Sequence, residues 1–446
     1  MQKINGQITN NYVQFDQFEN YENQVVEICG FIHKIREMTG FAFVLIRTER
    51  DVIQCIYAPE FSDYRWDEKT VEGCTVKIKG KVVANVDAKG NKRFEVQIHD
   101  LTVLSYPADQ MPITINKKQL DNMDINTMLN LRPVALRNPK ERAIFKIQEG
   151  IARGFRDYLT KNDFTEIRTP KINFAGAEGG ANIFKLDYFG KKVFLAQSPQ
   201  FYKQALVGVY ERVFEIGPVF RAEHHDTSRH LNEYLSMDFE MGFIDSFYDI
   251  MNMETGALKY ILELLKTEYK KELDLLQVKM PEIGDGIPCI TFKEAKDIIV
   301  NKYHKKITDF MDFEPEEEQL LCQYANKELG SEFIFVTHYP SKKRPFYAMD
   351  DPNDPEYTLS FDLLFRGMEI TTGGQRIHDY HEQVKKMQDR GMNPDDFESY
   401  LMLHKYGAPP HGGLGLGLER LTMNLLGFKN VRFTSMFPRD INRVTP

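Results

Sequence analysis

The first hundred or so residues alternate between short apolar runs and turn residues, a pattern that predicts β-strands. The runs rich in β-branched or aromatic residues are 25–32, 41–47, 52–57, 75–83 and 94–104. In the fourth run, Val76, Ile78 and Val82 fall on one face and lysines fall on the other. Five short strands in about 100 residues favour a small closed barrel over 1–105. Both an OB-fold that binds nucleic acid and a purely structural barrel fit this pattern.

The rest of the chain mixes helical and strand periodicity. Residues 106–139 are polar and contain prolines, which predicts a linker. Apolar residues recur at helical spacing through 140–161, and Pro139 stands where its missing N–H costs little. Strand-like runs then follow at 191–198, 212–223 and 233–244. Because these strands are sequence neighbours, we predict for 140–446 an α+β domain, an antiparallel sheet with helices packed against it, and no βαβ repeat.

Composition narrows the classes of protein. The 446 residues exceed the usual size of one domain, and a hydrophobic content of 42% allows buried cores. The formal charge of −8 does not indicate a nucleic-acid binder, although an acidic chain can carry a local basic groove. Five widely spaced cysteines without a C-x-x-C disfavour a zinc–cysteine site and a disulfide framework. Without a signal peptide or an apolar run of membrane length, we predict a cytoplasmic protein with no membrane partner.

The densest polar chemistry lies in GPVFRAEHHDTSRHLNEYLSMDFEM, residues 217–241. Its histidines suit a metal site poorly, because adjacent strand residues point to opposite faces and no zinc-binding spacing follows. A solvated face does not explain Arg221 and Asp238 amid apolar residues, where a charge is costly unless it is paired or faces a cleft. Arg221, Arg229 and His230 around a hairpin loop predict an anion clamp, since arginine's planar fork suits phosphate oxygens.

Other stretches carry further candidate chemistry. HGGLGLGLERL at 411–421 fits no dinucleotide-binding register and predicts a close-packed strand entering a helix, with Arg420 at the junction. The carboxylates of Asp362 and Glu369 are the kind of oxygen ligand that Mg²⁺ prefers. Taken singly, either residue is explained more simply as a member of an ion pair on a strand. Arg376, after two glycines, could reach a small carboxylate. A carboxylate, an amide and an ammonium could together hold a zwitterion: Glu178, Gln200 and Lys203.

Together these stretches resemble the three signature motifs of the class II aminoacyl-tRNA synthetases, of the aspartyl type found in archaea and eukaryotes. DFTEIRTPKI at 163–172 resembles motif 1, 217–241 motif 2 and 411–421 motif 3. The resemblance spans essentially the whole chain. It implies an N-terminal five-stranded OB-fold barrel for the anticodon, a C-terminal antiparallel sheet flanked by helices, and a homodimer with Pro170 at its interface.

The resemblance also implies a reaction. L-aspartate and ATP with Mg²⁺ would give aspartyl-adenylate and pyrophosphate, and the aspartyl group would then pass to the 3′ end of tRNA(Asp). No protein nucleophile is needed, because the chemistry depends on holding charge and aligning atoms. Arg221 at the α-phosphate and Arg420 at the γ-phosphate would be the catalytic residues. The ATP site would further include Glu223, Arg229, His230, Leu231, Tyr234, Glu369 and Gly417. The ligands of Mg²⁺ would be Asp362, Glu369 and Thr372.

The residues implied for aspartate are Glu178, Gln200, Lys203, Asp238, Thr372 and Arg376. Lys203 and Arg376 would bind the side-chain carboxylate, with Asp238 orienting them, while Glu178 and Gln200 take the ammonium group. Two cations facing one carboxylate reject asparagine, because its amide leaves a buried positive charge unsatisfied. Two rivals stay open: an asparagine-forming or asparagine-charging relative and a catalytically silent synthetase-like protein. Charging of tRNA(Asn) besides tRNA(Asp) also stays open.

In the barrel, the resemblance implies that Arg36, Phe43, Gln54 and Glu95 read the anticodon. Phe43 would stack on a base, which contributes about 1–3 kcal/mol, and Gln54 would hydrogen-bond to one. Without the resemblance, Phe43 would be interpreted as a core aromatic residue.

Overall fold

The computed structural model of the protein describes residues 6, 12–86, 90–116, 123–176, 182–224 and 227–446. The chain divides into two compact units, Met1–Glu141 and Arg142–Pro446. The finer division inferred from the sequence, with boundaries after residues 105 and 139, remains our proposal.

The first unit contains a closed five-stranded barrel, as predicted. Its strands are β1 Val25–Met38, β2 Phe41–Arg47, β3 Val52–Tyr57, β4 Thr75–Val86 and β5 Lys92–Ser105. They pair in the order β1-β2-β3-β5-β4, antiparallel except between β3 and β5. The alternation expected in β4 is present, since Val76, Ile78 and Val82 are fully buried and the lysines between them reach the surface. The hydrophobic pattern thus builds the barrel core.

Three helices follow the barrel: α1 Ile125–Asn130, α2 Arg132–Ala135 and α3 Pro139–Lys161. Asp124 caps α1 by accepting a hydrogen bond from the backbone N–H of Thr127 at 3.0 Å. The predicted apolar stripe of α3 is buried, including Ile147, Ile151 and Phe155. The long predicted helix is therefore confirmed.

The strands of the second unit are β6 Thr165–Glu166, β7 Ile172–Asn173, β8 Lys185–Tyr188, β9 Lys191–Leu195, β10 Arg212–Phe220, β11 Glu233–Gly242, β12 Cys289–Thr291, β13 Phe333–Thr337, β14 Asp350–Asp351, β15 Asp354–Thr358, β16 Ser360–Phe365, β17 Met368–Arg376 and β18 His411–Gly417. Eight of them form one sheet in the order β12-β13-β16-β17-β18-β11-β10-β6. The central pairs are antiparallel, as predicted, but β12–β13 and β6–β10 at the two edges are parallel. The sheet as a whole is therefore mixed. Strand β13 lies beside the edge strand β12 after a helical crossover, which a parallel pair requires.

The remaining helices are α4 Gln200–Tyr210, α5 Tyr248–Glu268, α6 Lys270–Leu276, α7 Phe292–Asn301, α8 Pro315–Glu328, α9 Tyr380–Asp389, α10 Glu398–Lys405 and α11 Leu418–Leu426. Residues of α3 and α5 join apolar residues of the central strands in the largest core cluster. Among the helices that the structure describes, none has the length and apolar character that crossing a membrane requires.

Candidate active site

Strand β11 separates its polar and apolar side chains onto two faces of the sheet. Met237, Phe239 and Met241 lie in the core shared with α3 and α5. Ser236 and Asp238 point to the other face and line a cavity. Successive residues of a strand point to opposite faces. This explains how the Asp238 carboxylate can follow apolar neighbours in sequence without being buried among them.

Strand β18 pairs with β11 and alternates glycine with leucine. Its leucines are buried in the core, while Gly413 and Gly415 lie opposite Glu240 and Asp238 in register. A Cβ on Gly413 would lie 2.2 Å from Oε2 of Glu240, and one on Gly415 would lie 3.3 Å from Oδ2 of Asp238. The glycines therefore make room for the two carboxylates. As predicted, the strand runs directly into a helix, α11, and Arg420 lies in the first turn of that helix.

A cavity of about 450 Å³ opens on this face of the sheet. Most residues predicted to bind substrates line it: Gln200, Lys203, Arg221, Glu223, Arg229, His230, Leu231, Tyr234, Asp238, Glu369, Thr372, Arg376, Gly417 and Arg420. Asp362 is absent from the lining and lies beside it, opposite Thr372 in register. Glu178 lies outside the described residues. The fold thus collects residues from distant parts of the sequence into one site.

Lys203 is a buried cation in the cavity wall, with only 2% of its side chain exposed. Its Nζ lies 2.8 Å from Oδ2 of Asp238, 2.9 Å from the carbonyl oxygen of Leu414 and 3.3 Å from Oε2 of Glu240. Ser236 donates a hydrogen bond to the other oxygen of Asp238. A buried ammonium group is costly unless it is paired, so the two carboxylates compensate its charge and fix its position.

Arg376 is the second buried cation in the wall. Its Nε donates to Oε1 of Glu240 and its Nη2 to the carbonyl oxygen of Gly413, both at 2.9 Å. Its guanidinium carbon lies 5.2 Å from the centre of the Tyr347 ring. Burial alone would raise the pKa of Glu240, but Arg376 and Lys203 hold that pKa below its usual value. Glu240 is therefore an ionised bridge between the two cations.

Glu240 carried no prediction from the sequence. A signal was available, because Glu240 stands two positions after Asp238 and residues i and i+2 of a strand share a face. Gln200, by contrast, was predicted, and its side-chain nitrogen is buried without a hydrogen-bond partner among the described residues. Leaving a buried donor unpaired is costly. A polar ligand in the cavity would satisfy it.

Arg221 and Arg420 line the same cavity from two different elements. Arg221 follows β10, and its backbone N–H donates to the carbonyl oxygen of Asn232 at 2.9 Å. The Asn232 side chain donates back to the Arg221 carbonyl oxygen at 2.7 Å, which ties the two ends of the β10–β11 loop together. Arg420 donates from Nη1 to the backbone and side-chain oxygens of Glu369 at 3.3 and 3.4 Å. Two guanidinium groups thus converge, as an anion clamp requires.

The described part of the β10–β11 loop contributes a histidine and a third arginine. Nδ1 of His230 lies 2.6 Å from Oγ1 of Thr227, and Nε2 of His230 lies 3.5 Å from Oε2 of Glu223. Burial lowers the pKa of His230 below its usual value, and the nearby arginines reinforce this effect. Arg229 forms an ion pair with Glu318 of α8. Burial raises the pKa of Glu318 to about 7. Glu318 carried no prediction from the sequence.

Asp362 of β16 lies opposite Thr372 of β17, and Glu369 lies three positions before Thr372 on β17. Thr372 donates to Oε1 of Glu369 at 2.8 Å. Arg344, which the sequence did not single out, lies 2.8 Å through Nη2 from Oδ1 of Asp362. Burial raises the pKa of Asp362 to about 6, against the effect of Arg344. Burial would also raise the pKa of Glu369, but Arg420 holds it below its usual value. Carboxylate and hydroxyl oxygens are the type of ligand that a hard cation prefers.

The residues predicted to read the anticodon share one outer face of the barrel. Arg36 and Phe43 lie opposite each other in the β1–β2 register, and Gln54 donates a hydrogen bond to Oε1 of Glu95. Phe43 is half-buried and does not belong to the barrel core, whereas its two sequence neighbours do. Interpretation as a core aromatic is therefore wrong. The Glu95 side chain is buried.

Comparison with known proteins assigns the family. A family described as tRNA synthetases class II (D, K and N) matches residues 124–441, and an OB-fold nucleic acid binding domain matches residues 26–104. An aspartate–tRNA(Asp/Asn) ligase of Deinococcus radiodurans is 44% identical over 96% of this chain and 98% of its own. The chain belongs to the aspartyl-tRNA synthetases of class II. An aspartate–tRNA(Asp) ligase of Pyrococcus abyssi is 37% identical over the same shares of the two chains, 96% and 98%.

Solved structures of both aspartyl- and asparaginyl-tRNA synthetases share the fold of this synthetase. An asparaginyl-tRNA synthetase of Pyrococcus horikoshii, complexed with asparaginyl-adenylate, matches with a TM-score of 0.87 and 29% identity, covering 96% of this chain and 97% of that one. An aspartyl-tRNA synthetase of Entamoeba histolytica matches with a TM-score of 0.84 and 27% identity, covering 98% and 93%. The predicted combination of an OB-fold barrel and a class II catalytic domain is confirmed.

Proposed function

We propose that this synthetase recognises L-aspartate through Lys203 and Arg376, activates it with ATP and transfers it to the 3′ end of tRNA. The observation that carries the proposal is that pair of buried cations, held by Asp238 and Glu240 in the wall of one cavity. A substrate carboxylate can accept hydrogen bonds from both cations, whereas an amide would turn the N–H₂ donors of its nitrogen toward one of them. Gln200, with its unpaired side-chain nitrogen, and Glu178 are assigned to the α-amino end of aspartate.

In the proposed reaction, an oxygen of the aspartate α-carboxylate attacks the α-phosphorus of ATP, a mixed anhydride forms and pyrophosphate leaves. We assign Arg221 to the α-phosphate, where negative charge develops, and Arg420 to the γ-phosphate. Glu223 and Tyr234 are assigned to adenine. Arg229 and His230, Leu231 and Gly417 complete the ATP pocket. No side chain attacks the substrate, because the protein contributes by holding charge and aligning the reacting atoms.

The family generally uses ATP with Mg²⁺, and we propose Asp362, Glu369 and Thr372 as the ligands of the ion. One observation supports the fit: Oδ1 of Asp362 is buried and accepts no hydrogen bond among the described residues. Arg344 forms an ion pair with that oxygen, and a carboxylate oxygen has a second lone pair with which it can bind a cation. The ion, when bound, would neutralise charge on the phosphates. Arg344 would then share the Asp362 carboxylate with it.

Two tRNA specificities are candidates for this enzyme. Our first candidate is tRNA(Asp). A second candidate, an enzyme that charges both tRNA(Asp) and tRNA(Asn), is favoured by the higher identity to the Deinococcus radiodurans ligase, 44% against 37% for the Pyrococcus abyssi ligase. Aminoacylation of the two purified tRNAs, measured side by side, distinguishes the candidates.

We also propose a homodimer. Pro170 is exposed just after β6, and β6 is the last strand of the eight-stranded sheet. Within the described chain β6 has β10 as its one neighbour in that sheet, so its other edge can meet a second copy. Light scattering should give twice the chain mass. The cytoplasmic location predicted from the sequence also remains a proposal.

The central test is ATP–pyrophosphate exchange, which reports the activation step without tRNA. We expect exchange that depends on aspartate and is at least a hundredfold weaker with asparagine. Arg221→Ala should lower the exchange rate by about 10²–10³, the usual effect of removing one group that stabilises developing charge. Arg50→Ala, an exposed arginine of the first unit, is the matched control. Exchange that requires asparagine and ignores aspartate would refute the proposal.

A further inference from the structure

The hairpin formed by β8 and β9 exposes large apolar side chains. Leu186 is 40% exposed, Tyr188 45% and Phe189, at the tip, 90%. In the register, Leu186 and Tyr188 share a face with Val193 and Lys191. Contiguous exposed apolar surface on a protein often marks a place where a partner binds.

The turn of this hairpin adds an independent anomaly. Phe189 has φ = 53° and Gly190 has φ = 78°. A two-residue hairpin turn with two positive φ angles favours asparagine, aspartate or glycine at both positions. A bulky residue in the left-handed region is unfavourable. Within the described residues, the one aromatic contact of the Phe189 ring is with Tyr188, at 4.8 Å between ring centres. The turn therefore places an aromatic ring in solvent, although both the exposure of the ring and the left-handed backbone of Phe189 are unfavourable.

The same hairpin is basic on an acidic chain. Lys185, Lys191 and Lys192 are exposed, and none of them forms an ion pair within the described part of the chain. The one acidic residue, Asp187, accepts a hydrogen bond from the backbone N–H of the turn glycine at 3.2 Å. The whole chain carries a formal charge of −8. Exposed aromatic rings next to cations bind single-stranded nucleic acid, because bases stack on the rings and phosphates meet the cations.

The base of the hairpin lies at the rim of the active-site cavity. The carbonyl oxygen of Ala196, directly after β9, accepts a hydrogen bond from the backbone N–H of Phe220 at 2.8 Å. Arg221, the residue after Phe220, lines the cavity. Gln197 and Ser198, the two residues after Ala196, line it as well. A polymer whose end enters the cavity can therefore contact the hairpin on its way in.

We propose that the β8–β9 hairpin binds the unpaired 3′ end of the tRNA, with a base stacked on Phe189 and phosphates held by Lys191 on the face of Tyr188 and by Lys192 on the opposite face. This inference rests on the proposed function and specifies where its tRNA is held. A second copy of the chain is the competing occupant. Three lysines on the surface disfavour it, because a two-fold contact would bring like charges together.

The test uses the full chain with Phe189→Ala and with the double change Lys191→Ala, Lys192→Ala. We expect unchanged aspartate-dependent ATP–pyrophosphate exchange and a fall of about tenfold or more in kcat/KM for tRNA, the size expected from one lost stacking contact. The lysine variant should also show a weaker dependence of kcat/KM on salt, by about 0.7 in the logarithmic slope per lost phosphate contact. Phe310→Ala, an exposed phenylalanine elsewhere, is the matched control.

Three results would overturn the inference. The first is unchanged kcat/KM for tRNA in both variants. The second is a fall in pyrophosphate exchange equal to the fall in aminoacylation, which would make the hairpin a structural support of the cavity. The third is loss of a dimer in light scattering of Phe189→Ala, which would assign the hairpin to a contact between copies. Failure of the unchanged protein to catalyse exchange would refute the proposed function itself, so the two failures are distinguishable.

Discussion

Glu240 shows how much a single side chain can determine at this site. One carboxylate oxygen of Glu240 accepts a hydrogen bond from Arg376. The other lies 3.3 Å from Nζ of Lys203, in an ion pair whose geometry is not that of a hydrogen bond. Glu240→Gln keeps the shape but turns an N–H₂ group toward one of the two cations. We expect KM for aspartate to rise about 10²-fold, the usual effect of a small misplacement of a binding group, with KM for ATP changed less than threefold. Initial-rate exchange kinetics measure both constants.

The control for that prediction is Glu211→Gln, an exposed glutamate on the loop that leads into β10. A KM for aspartate that stays at the original value in Glu240→Gln would show that Lys203 and Arg376 keep their positions without the bridge.

Residue types were easier to predict at this site than residue partners. Arg221, Arg420, Lys203 and Arg376 could be found because a charge within an apolar strand, or a resemblance to a motif, is visible in the sequence. Arg344 and Glu318 could not. Each acts through one side chain from a distant segment, and no local pattern records that contact.

At the scale of elements, the layer behind the sheet holds an unusual group. Glu254 of α5 is buried, and neither of its oxygens has a geometrically good hydrogen bond among the described residues. Burial raises its pKa to about 8, with Thr371 opposing the effect and Asp362 adding to it. The folded protein therefore holds this carboxyl protonated at neutral pH, between α5 and Thr371 of strand β17.

A raised carboxyl pKa has a definite sign for stability. The unfolded chain loses this proton near pH 4.5 and the folded chain near pH 8, so stability falls as the pH rises between these values. Glu254→Gln removes the effect. We expect the variant to gain stability relative to the original protein from pH 5 to pH 8, on the order of a few kcal/mol. Urea unfolding at pH 5, 6.5 and 8 measures it, with exposed Glu263→Gln on α5 as control. A difference independent of pH would contradict the prediction.

Strands and helices with a strong hydrophobic period were predicted well, whereas strands that form only because they pair with a neighbouring strand were not. The runs at 41–47 and 52–57 match β2 and β3 residue for residue, and the helix predicted over 140–161 matches α3 within one residue. The parallel edges of the large sheet had no such signal, since a strand of two or three residues has no measurable period. Tertiary contacts alone determine β6 and β12.

At the scale of the whole molecule, the two compact units divide the proposed work. Phe43 lies on the barrel and the ATP cavity lies in the second unit. Phe43→Ala should therefore leave ATP–pyrophosphate exchange unchanged and lower kcat/KM for tRNA about tenfold or more, the loss expected from one stacked base. Phe31→Ala, a partly exposed phenylalanine of β1, is the control. Equal loss in both assays would contradict separate roles for the two units.

The alternating glycines of β18 set a limit on how this enzyme can be redesigned. Lys203 and Arg376 are anchored on main-chain carbonyl groups of Leu414 and Gly413, which no codon change can replace. Adding a methyl group at Gly413 would collide with Glu240. Directed evolution toward another amino acid must therefore work on the walls of the cavity. An inhibitor that contacts Gly415 and Gly417, the glycines of β18 that line the cavity, would meet main-chain atoms that resistance mutations cannot remove.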